Sequence, residues 1–576
     1  MSRRSRLTLI ISGAVLGLIC VLAVTAVFVL RSAWFREQVR ERIVAEAEKA
    51  TGGRVEIGSF DFEWNTMTAR VNGFVIHGTE PAGSPPLLRV RSITIVLKIL
   101  SVLKRMVDVQ SIAVDQPQAH VIISPDGTTN VPEPKASRAT NKTPVETILD
   151  LAVGRFTIQS GAIEVNSQRT PWSAAGENLR AQFGYNPLTP SYRGEISIQP
   201  LHLTISNNLP VDVGAAISLT IEKNKATVSR ARFETAKSSA EFSGAVQNFS
   251  SPQSTFQYDV RLSLDELLRT LRFRSRPQGT VLIRGNASFR DFGHYLFTGN
   301  LHMGPLSFGQ GGVQVRDVRG QSAFRMDPEK IDFSGIRLSV PEGDFNGRAR
   351  IEQLDRFRME GELSHFNLRR LAQLYTSQRL PWDGVLSGAV EMNGLVSDLY
   401  RGHFDARAQL AISPAPGSAP VEGMIDASYN GGRQTIDLGN SFLQLPATRL
   451  DFMGTLGQQL HVHLRSTNLD DLLPALELAS QSPPLAMPLK LQNGVAVFDA
   501  AVTGSLNSPQ LAGHISVTNV LYSQRTIDTL ATDVFVQKSE LRIQNATLAS
   551  GRLHGQLSAK LNRVNYEGVD RRLESC

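Results

Sequence analysis

The stretch AAISLTIE, residues 215–222, shows the pattern that decides the fold of this chain. Its residues alternate between apolar and small or polar, so an extended strand places Ala215, Ile217, Leu219 and Ile221 on one face. The same period of two returns elsewhere, with its clearest apolar positions at Leu203, Ile205, Val462, Leu464, Val534, Val536, Leu541 and Ile543. We therefore predict a mainly β fold in which each strand has one apolar and one polar face.

Beyond residue 165 the chain repeats itself with a period of roughly 100 residues, as expected for a protein built by stacking one structural unit. A glycine recurs at Gly244, Gly347, Gly454 and Gly555, and a short helical pattern begins at Leu264, Leu368 and Leu469. We interpret these and most other glycines as turn residues between strands. Residues 166–576 are then about four repeats that form a long, curled sheet with a hydrophobic groove and few short helices.

The first 30 residues predict a membrane anchor. Residues Leu7 to Leu30 carry no charge, and as a helix they reach about 36 Å, enough for a hydrocarbon core of about 30 Å. Arg3, Arg4 and Arg6 precede this segment, which predicts a cytoplasmic N-terminus and an exported remainder. A cleaved signal peptide is the alternative, but the apolar run is longer than such a segment needs.

Residues 31–53 predict an amphipathic helix directly after the anchor. Phe35, Val39, Ile43, Val44 and Ala47 recur at helical spacing among charged residues, and Gly52-Gly53 ends the pattern. Residues 54–165 then alternate as strands, interrupted by a Pro-, Lys- and Thr-rich loop at 132–144. Two further proline-rich stretches, 414–420 and 474–488, are predicted to be loops that cross the mouth of the groove.

Several segments resemble the AsmA-like and TamB-like family. TGGRVEIGSFDFEWNTMTARVNGFVIHG (51–78) resembles its N-terminal entry strands, and Pro125 to Val131 resembles its segment of a strand followed by Asp-Gly and Asn. GRFTIQSGAIEV (154–165) resembles the hairpin that follows, and VTGSLNSPQLAGHISV (502–517) resembles its repeated strand, turn and strand. Such proteins usually continue into a further C-terminal domain, so we expect a short or truncated relative.

The resemblance implies an inner-membrane protein whose bulk lies in the bacterial periplasm and whose groove holds lipid. We therefore expect a non-enzymatic bridge that shields phospholipid acyl chains on their way to the outer membrane. The lining expected from the alternation is Leu203, Ile205, Ile217, Leu219, Ile221, Val462, Leu464, Val534, Val536, Leu541 and Ile543. One alternative fold stays open, in which the apolar faces seal against each other as in a sandwich. Two alternative functions also stay open: a scaffold for outer-membrane protein assembly that binds a barrel protein through strand edges, and a secreted adhesin-like solenoid, against which the uncleaved anchor counts.

Signatures of chemistry are weak in this sequence. The net charge of +7 is spread along 576 residues, which does not favour a nucleic-acid partner, and Cys20 and Cys576 are too far apart to suggest a disulfide. His461 and His463 share a strand face but lack a third ligand in sequence, so we predict no metal. The acidic pairs Asp265-Glu266 and Asp470-Asp471 are matched by Arg369-Arg370 in the middle repeat, which indicates solvated helix starts. We predict no cofactor and no catalytic residue.

Overall fold

A computed structural model shows a mainly β protein, as predicted. It divides into a first unit (Met1–Arg274 with Ile283–Tyr295) and a second unit (Ser275–Leu282 with Leu296–Cys576), which we describe separately. The structure describes residues 32–81, 83–98, 109–132, 149, 152–169, 171–206, 208–249, 251–272, 277–291, 293–310, 313–373, 382–416, 419–473, 487, 489–505, 508–537 and 540–562.

The helix predicted after the anchor is present as α1, Ala33–Thr51. The hydroxyl of Ser32 accepts a hydrogen bond from the Phe35 amide at its start, and Gly52 ends it in the left-handed conformation, with φ of 79°. Of the residues that the structure describes, no helix is both long and apolar enough to cross a membrane. The predicted anchor, Leu7 to Leu30, lies outside those residues.

The first unit continues as one sheet of eleven strands. Its order follows the sequence: β1 to β4 are antiparallel, β5 is parallel to β4, and β5 to β11 are antiparallel again. The strands are β1 Arg54–Glu63, β2 Thr68–His77, β3 Leu88–Leu97, β4 Val109–Ile123, β5 Arg155–Ser167, β6 Trp172–Asn186, β7 Ser191–Ile205, β8 Val211–Glu222, β9 Lys225–Glu234, β10 Ser239–Gln247 and β11 Gln253–Ser263. A short helix, α2 (Leu264–Thr270), follows β11. Strand β12 (Thr280–Asp291) contributes residues to both units, and the first two residues of β13 (His294–Gln310) also belong to the first unit.

The segment that resembles a family hairpin, 154–165, is not a hairpin in the structure. It forms the single strand β5, which runs parallel to β4 along most of its length. At Ser160, where φ is 50°, the strand bulges and its register with β6 shifts on either side of Gly161. The Ser-Gly pair, which resembles a turn in sequence, therefore marks a bulge.

Asn130 explains the Asp-Gly and Asn segment after β4. Its side chain accepts a hydrogen bond from the Ile122 amide at 2.9 Å and donates one to the His120 carbonyl at 2.9 Å. The buried side-chain amide of Asn130 thus takes the place of a neighbouring strand along the end of β4. The backbone carbonyl of Asn130 accepts a hydrogen bond from the Thr79 amide. The segment consequently ties the end of β4 to the end of β2.

The second unit is also built mostly from sequential antiparallel strands. Its strands are β13 His294–Gln310, β14 Val313–Met326, β15 Lys330–Val340, β16 Gly343–Glu352, β17 Arg356–Asn367, β18 Trp382–Leu395, β19 Phe404–Pro414, β20 Ala419–Pro420, β21 Glu422–Asn430, β22 Thr435–Gln444, β23 Thr448–Leu456, β24 Gln459–Ser466, β25 Leu489–Leu491, β26 Ala496–Ser505, β27 Ser508–Tyr522, β28 Arg525–Gln537, β29 Glu540–Ser550 and β30 Leu553–Asn562. Helix α3 spans Leu368–Gln373, and 3₁₀ helices span Val396–Arg401 and Leu469–Leu472.

The helical segments predicted in each repeat are found after β11, β17 and β24. Those beginning at Leu264 and Leu368 are α-helical, whereas the one beginning at Leu469 is a 3₁₀ helix over its first four residues. The loop predicted at 414–420 is partly wrong, because Ala419–Pro420 pairs in parallel with Trp382 and Asp383. Within the loops predicted at 132–144 and 474–488, all residues but 132 and 487 lie outside those that the structure describes.

Many glycines lie inside strands, which corrects their interpretation as turn residues. Gly244, Gly347, Gly454 and Gly555 all fall within β10, β16, β23 and β30. Several are covered by aromatic rings: a Cβ on Gly361 would meet the Phe345 ring at 2.6 Å, and one on Gly513 would meet the Phe498 ring at 2.8 Å. Glycine lets a ring lie flat against the neighbouring strand, and among the four repeated glycines Gly347 has this role beside the Phe345 ring, whereas a Cβ on Gly555 would meet nothing within 4 Å.

We expect Gly347→Val to destabilise the second unit. A Cβ at this position would lie 2.7 Å from the Phe345 ring, which the strand pairing leaves little room to move. Overpacking of this kind costs about 1–3 kcal/mol, measurable as a lower midpoint in chemical denaturation followed by circular dichroism. The matched control is Gly184→Val in β6, where a Cβ meets nothing within 4 Å. Equal midpoints for the two variants would contradict the packing role.

Candidate functional site

The register of the first unit lines up apolar residues on one face of all eleven strands. A single row crosses six strands through Phe183, Gly194, Leu219, Val228, Gly244 and Phe256, each directly opposite the next. A row at the other end of the sheet joins Ile57, Phe74 and Val90. A third row, Ile95, Ile112, Phe156 and Phe183, crosses β3 to β6 and links the first two. Because residues paired across neighbouring strands share a face, these rows form one apolar face.

The other face of the first unit is polar. Gln182, Glu195, Ser218 and Arg230 stand opposite one another across β6 to β9, and Arg230 donates to Glu241 of β10 at 3.2 Å. Exposed cross-strand ion pairs such as this are worth little individually, but they keep a sheet face in water. The first unit therefore has a sheet with one wettable and one water-avoiding face.

The second unit has the same two-faced construction. One apolar row joins Phe452, Val462, Ala500, Gly513, Val534, Ile543 and Ala559 across β23 to β30. A second row joins Ile331 and Phe333 of β15 to Ile351 and Ala349 of β16. On the opposite face, Asp451, His463, Asp499, His514 and Asp533 form a row of alternating acid and imidazole groups.

The structure places the eleven sequence-predicted lining residues on the apolar faces of their own units. Leu203, Ile205, Ile217, Leu219 and Ile221 lie in the first unit, and the other six lie in the second. Ten are half-buried, whereas Ile205 at the end of β7 is 59% exposed. Their contact with lipid stays a prediction.

Sequence reasoning missed the aromatic part of the apolar face. Phe183, Tyr185 and Tyr192 lie on it, and Tyr192 is buried with Leu149 and Val153. The Val153 amide donates to the Tyr192 hydroxyl at 2.7 Å, and burial raises the pKa of that phenol. The alternation in QFGYN, residues 182–186, is the signal that points to the first two.

Bulges keep the apolar residues on one face although their sequence spacing is irregular. Ile198 and Leu201 are three residues apart, yet both face the apolar residues of β8 because the register shifts between them. Residues with positive φ mark similar points in neighbouring strands, at Gly73, Gln116, Ser160 and Asn178. A bulge bends its strand and increases the local twist, so these points add curvature to the first sheet.

Buried clusters show what covers the apolar faces. In the described part of the chain, each cluster joins neighbouring strands of one unit to a helix or connecting segment: α1 over β1 to β3, Leu149 and Val153 over β4 to β8, Leu368 of α3 near β17 to β22, and Leu469 near β25 to β28. Between the clusters, Ile196, Ile217 and Leu219 remain half-buried. A sandwich would bury such inward residues fully, so their exposure favours an apolar face without a second sheet above it.

A recurrent contact holds the short helices at the ends of the strands. The third residue of each short helix forms a hydrogen bond with the hairpin loop that lies two strands earlier in the chain. Glu266 accepts from the Thr235 hydroxyl at 2.7 Å and the Lys237 amide at 3.2 Å, and Asp471 accepts from the Ala447 amide at 2.7 Å. Arg370 instead donates to the Pro341 carbonyl. Opposite charges thus perform one structural task. Arg370 and Asp470 are exposed, as expected of solvated helix starts, whereas Glu266 and Asp471 are half-buried.

The acidic and histidine residues considered for chemistry also have structural partners. Asp265 pairs with Lys237 and Arg269, whose hydrogen bonds lower the pKa of its carboxyl group. His463 pairs with Asp499, and His514 Nδ1 lies 2.7 Å from Asp533 Oδ1. Within the described residues, no group of three or more His, Cys, Asp and Glu side chains is arranged to hold a metal ion.

We expect the hairpin contact of Glu266 to weaken in acid. Burial raises the pKa of this carboxyl group, but hydrogen bonds from Ser238, Thr235 and the Lys237 amide outweigh burial and bring the pKa below 4.5. A lowered pKa stabilises the fold fully above pH 4.5, and this contribution is lost as the pH falls through the folded pKa.

The test compares unfolding of the natural chain and Glu266→Gln across this pH range. The difference in stability between them should be present at neutral pH and shrink progressively as the pH falls below 4.5. Glu222→Gln, at the exposed end of β8, is the control and should behave like the natural chain. A Glu266→Gln effect that is independent of pH would rule out the ionised contact.

No protein-family model matches this chain, and no curated protein matches it in sequence. The two-faced sheets are therefore the feature of this protein that points to a function.

Proposed function

We propose that this protein holds phospholipid acyl chains on its apolar faces and carries lipid from the inner membrane toward the outer membrane. It would be a non-enzymatic relative of the AsmA-like and TamB-like proteins, anchored by residues 7–30 with its bulk in the periplasm. The observation that carries the proposal is the unbroken succession of apolar residues across neighbouring strands, half-buried and opposite a polar face.

The physical basis is the transfer of hydrocarbon out of water. Each methylene group that moves from water to an apolar lining gains about 0.8 kcal/mol, irrespective of which aliphatic or aromatic side chain it meets. Rows of Leu, Ile, Val and Phe therefore suit acyl chains in general, while the polar headgroup stays in water. Because neighbouring rows offer similar surroundings, a chain can move along the face without a large barrier, and direction has to come from other components.

The rival function, a scaffold that binds outer-membrane proteins through strand edges, would require an added strand to take the place of α1 at β1. The outward groups of this edge strand already have partners in α1: Arg40 Nη1 donates to the Ile57 carbonyl at 3.0 Å, and Glu48 Oε1 accepts from the Val55 amide at 3.0 Å. An added strand would need to displace both contacts. A stable complex with an outer-membrane barrel that contains no lipid would favour the scaffold.

We expect Leu219→Asp, Val462→Asp and Ile543→Asp each to reduce the lipid bound to the protein and to block its transfer. A carboxylate on the apolar face must remain hydrated, so it opposes the passage of acyl chains. The measurement is lipid mass spectrometry on full-length protein extracted from its native membrane, together with a transfer assay between vesicles.

Matched controls lie one residue away on the polar faces, at Thr220→Asp, His461→Asp and Gln544→Asp. These should retain bound lipid, and circular dichroism should show all six variants folded. Transport that survives charges at all three apolar positions would refute the proposal.

A further inference from the structure

Helix α1 covers the first strands of the apolar face. Val39, Ile43, Val44 and Ala47 pack against a cluster whose members are among the best buried in the first unit, with exposures of 4–8%. That cluster consists of Val55, Ile57, Phe60, Val71 and Ile76. It belongs to the same apolar face that continues through β3 to β11, so α1 lies on one end of that face.

The contacts of α1 are of a kind that an acyl chain could replace. No residue of α1 is fully buried, and its packing against the strands is apolar. Its two bonds to the strand backbone join side chains of Arg40 and Glu48 to the outer edge of β1, where water can satisfy the same groups. Replacing the helix stripe by hydrocarbon would therefore keep the cluster out of water and leave no backbone group unsatisfied.

The position of α1 in the chain indicates at which end of the apolar face lipid would arrive. The helix begins at Ala33, three residues after the end of the predicted span at Leu30. Three residues reach about 10 Å at most, so the start of α1 stays near the membrane surface if that span is an anchor. The end of the face that α1 covers is thus the end at which lipid would arrive.

We propose that α1 is a displaceable lid, which competes with acyl chains for the β1 to β3 end of the apolar face. This inference rests on the proposed function. In the lipid-free protein the helix closes that end, and an arriving acyl chain takes over the surface that Val39, Ile43, Val44 and Ala47 occupy. The competition keeps the entrance covered whenever no lipid is present.

Hydrogen exchange on the full-length protein tests the lid directly. The protein is compared before and after incubation with vesicles of phosphatidylethanolamine and phosphatidylglycerol, and bound lipid is quantified in the same samples. We expect the amides of 33–51 to exchange faster once lipid is bound. Bound lipid with unchanged protection of α1 would overturn the lid and leave the carrier function intact. Absence of bound lipid would overturn both.

A variant that loosens α1 without touching the apolar face gives a second measurement. Arg40→Ala combined with Glu48→Ala removes both bonds to β1, and uptake of a fluorescent phospholipid should then be roughly two- to fivefold faster at unchanged final loading. The control is Arg42→Ala, whose side chain is 80% exposed and pairs with Glu46 within the helix. Equal uptake rates for the double variant and this control would overturn the lid.

Discussion

The pairing of strands in register is the constraint on which the rest of this structure depends. Directly opposed residues share a face, so one apolar row such as Phe183, Gly194 and Leu219 extends across the sheet only while every pair keeps its partner. A register shift of one residue would move all the apolar side chains of a strand to the polar face. The bulge between Ile198 and Leu201 prevents such a change where the spacing is irregular. Correct register therefore places the alternating apolar residues of separate strands on one continuous surface.

Contacts in this protein are mostly between neighbours along the chain. Each described buried cluster joins adjacent strands to a nearby helix or connecting segment, and the Glu266, Arg370 and Asp471 contacts reach back only two strands. Stability in such an arrangement is close to a sum of nearest-neighbour terms. That organisation permits an apolar face to remain half-buried, because no single central core has to be completed before the strands can pair.

The character of the apolar face bears on the choice between functions. Aliphatic and aromatic side chains alternate along it with glycines under rings, whereas His463 and His514 lie on the polar face of the second unit with ion-pair partners. A surface of this kind distinguishes hydrocarbon from water and little else. It suits a general carrier of acyl chains better than a site for one substrate.

The sequence by itself determined the features that depend on short-range periodicity. The alternation around Ile217 placed its apolar side correctly, and helical spacing with Gly52 located α1. Only the tertiary structure decided the role of Gly347. In the sequence, a glycine is as consistent with a turn as with a strand position beneath an aromatic ring, and only the structure shows the Phe345 ring beside it. The same holds for Ser160, which bulges within a strand, and for Glu266, whose partners lie about 30 residues earlier. These features depend on which strands become neighbours, and a one-dimensional pattern does not carry that information.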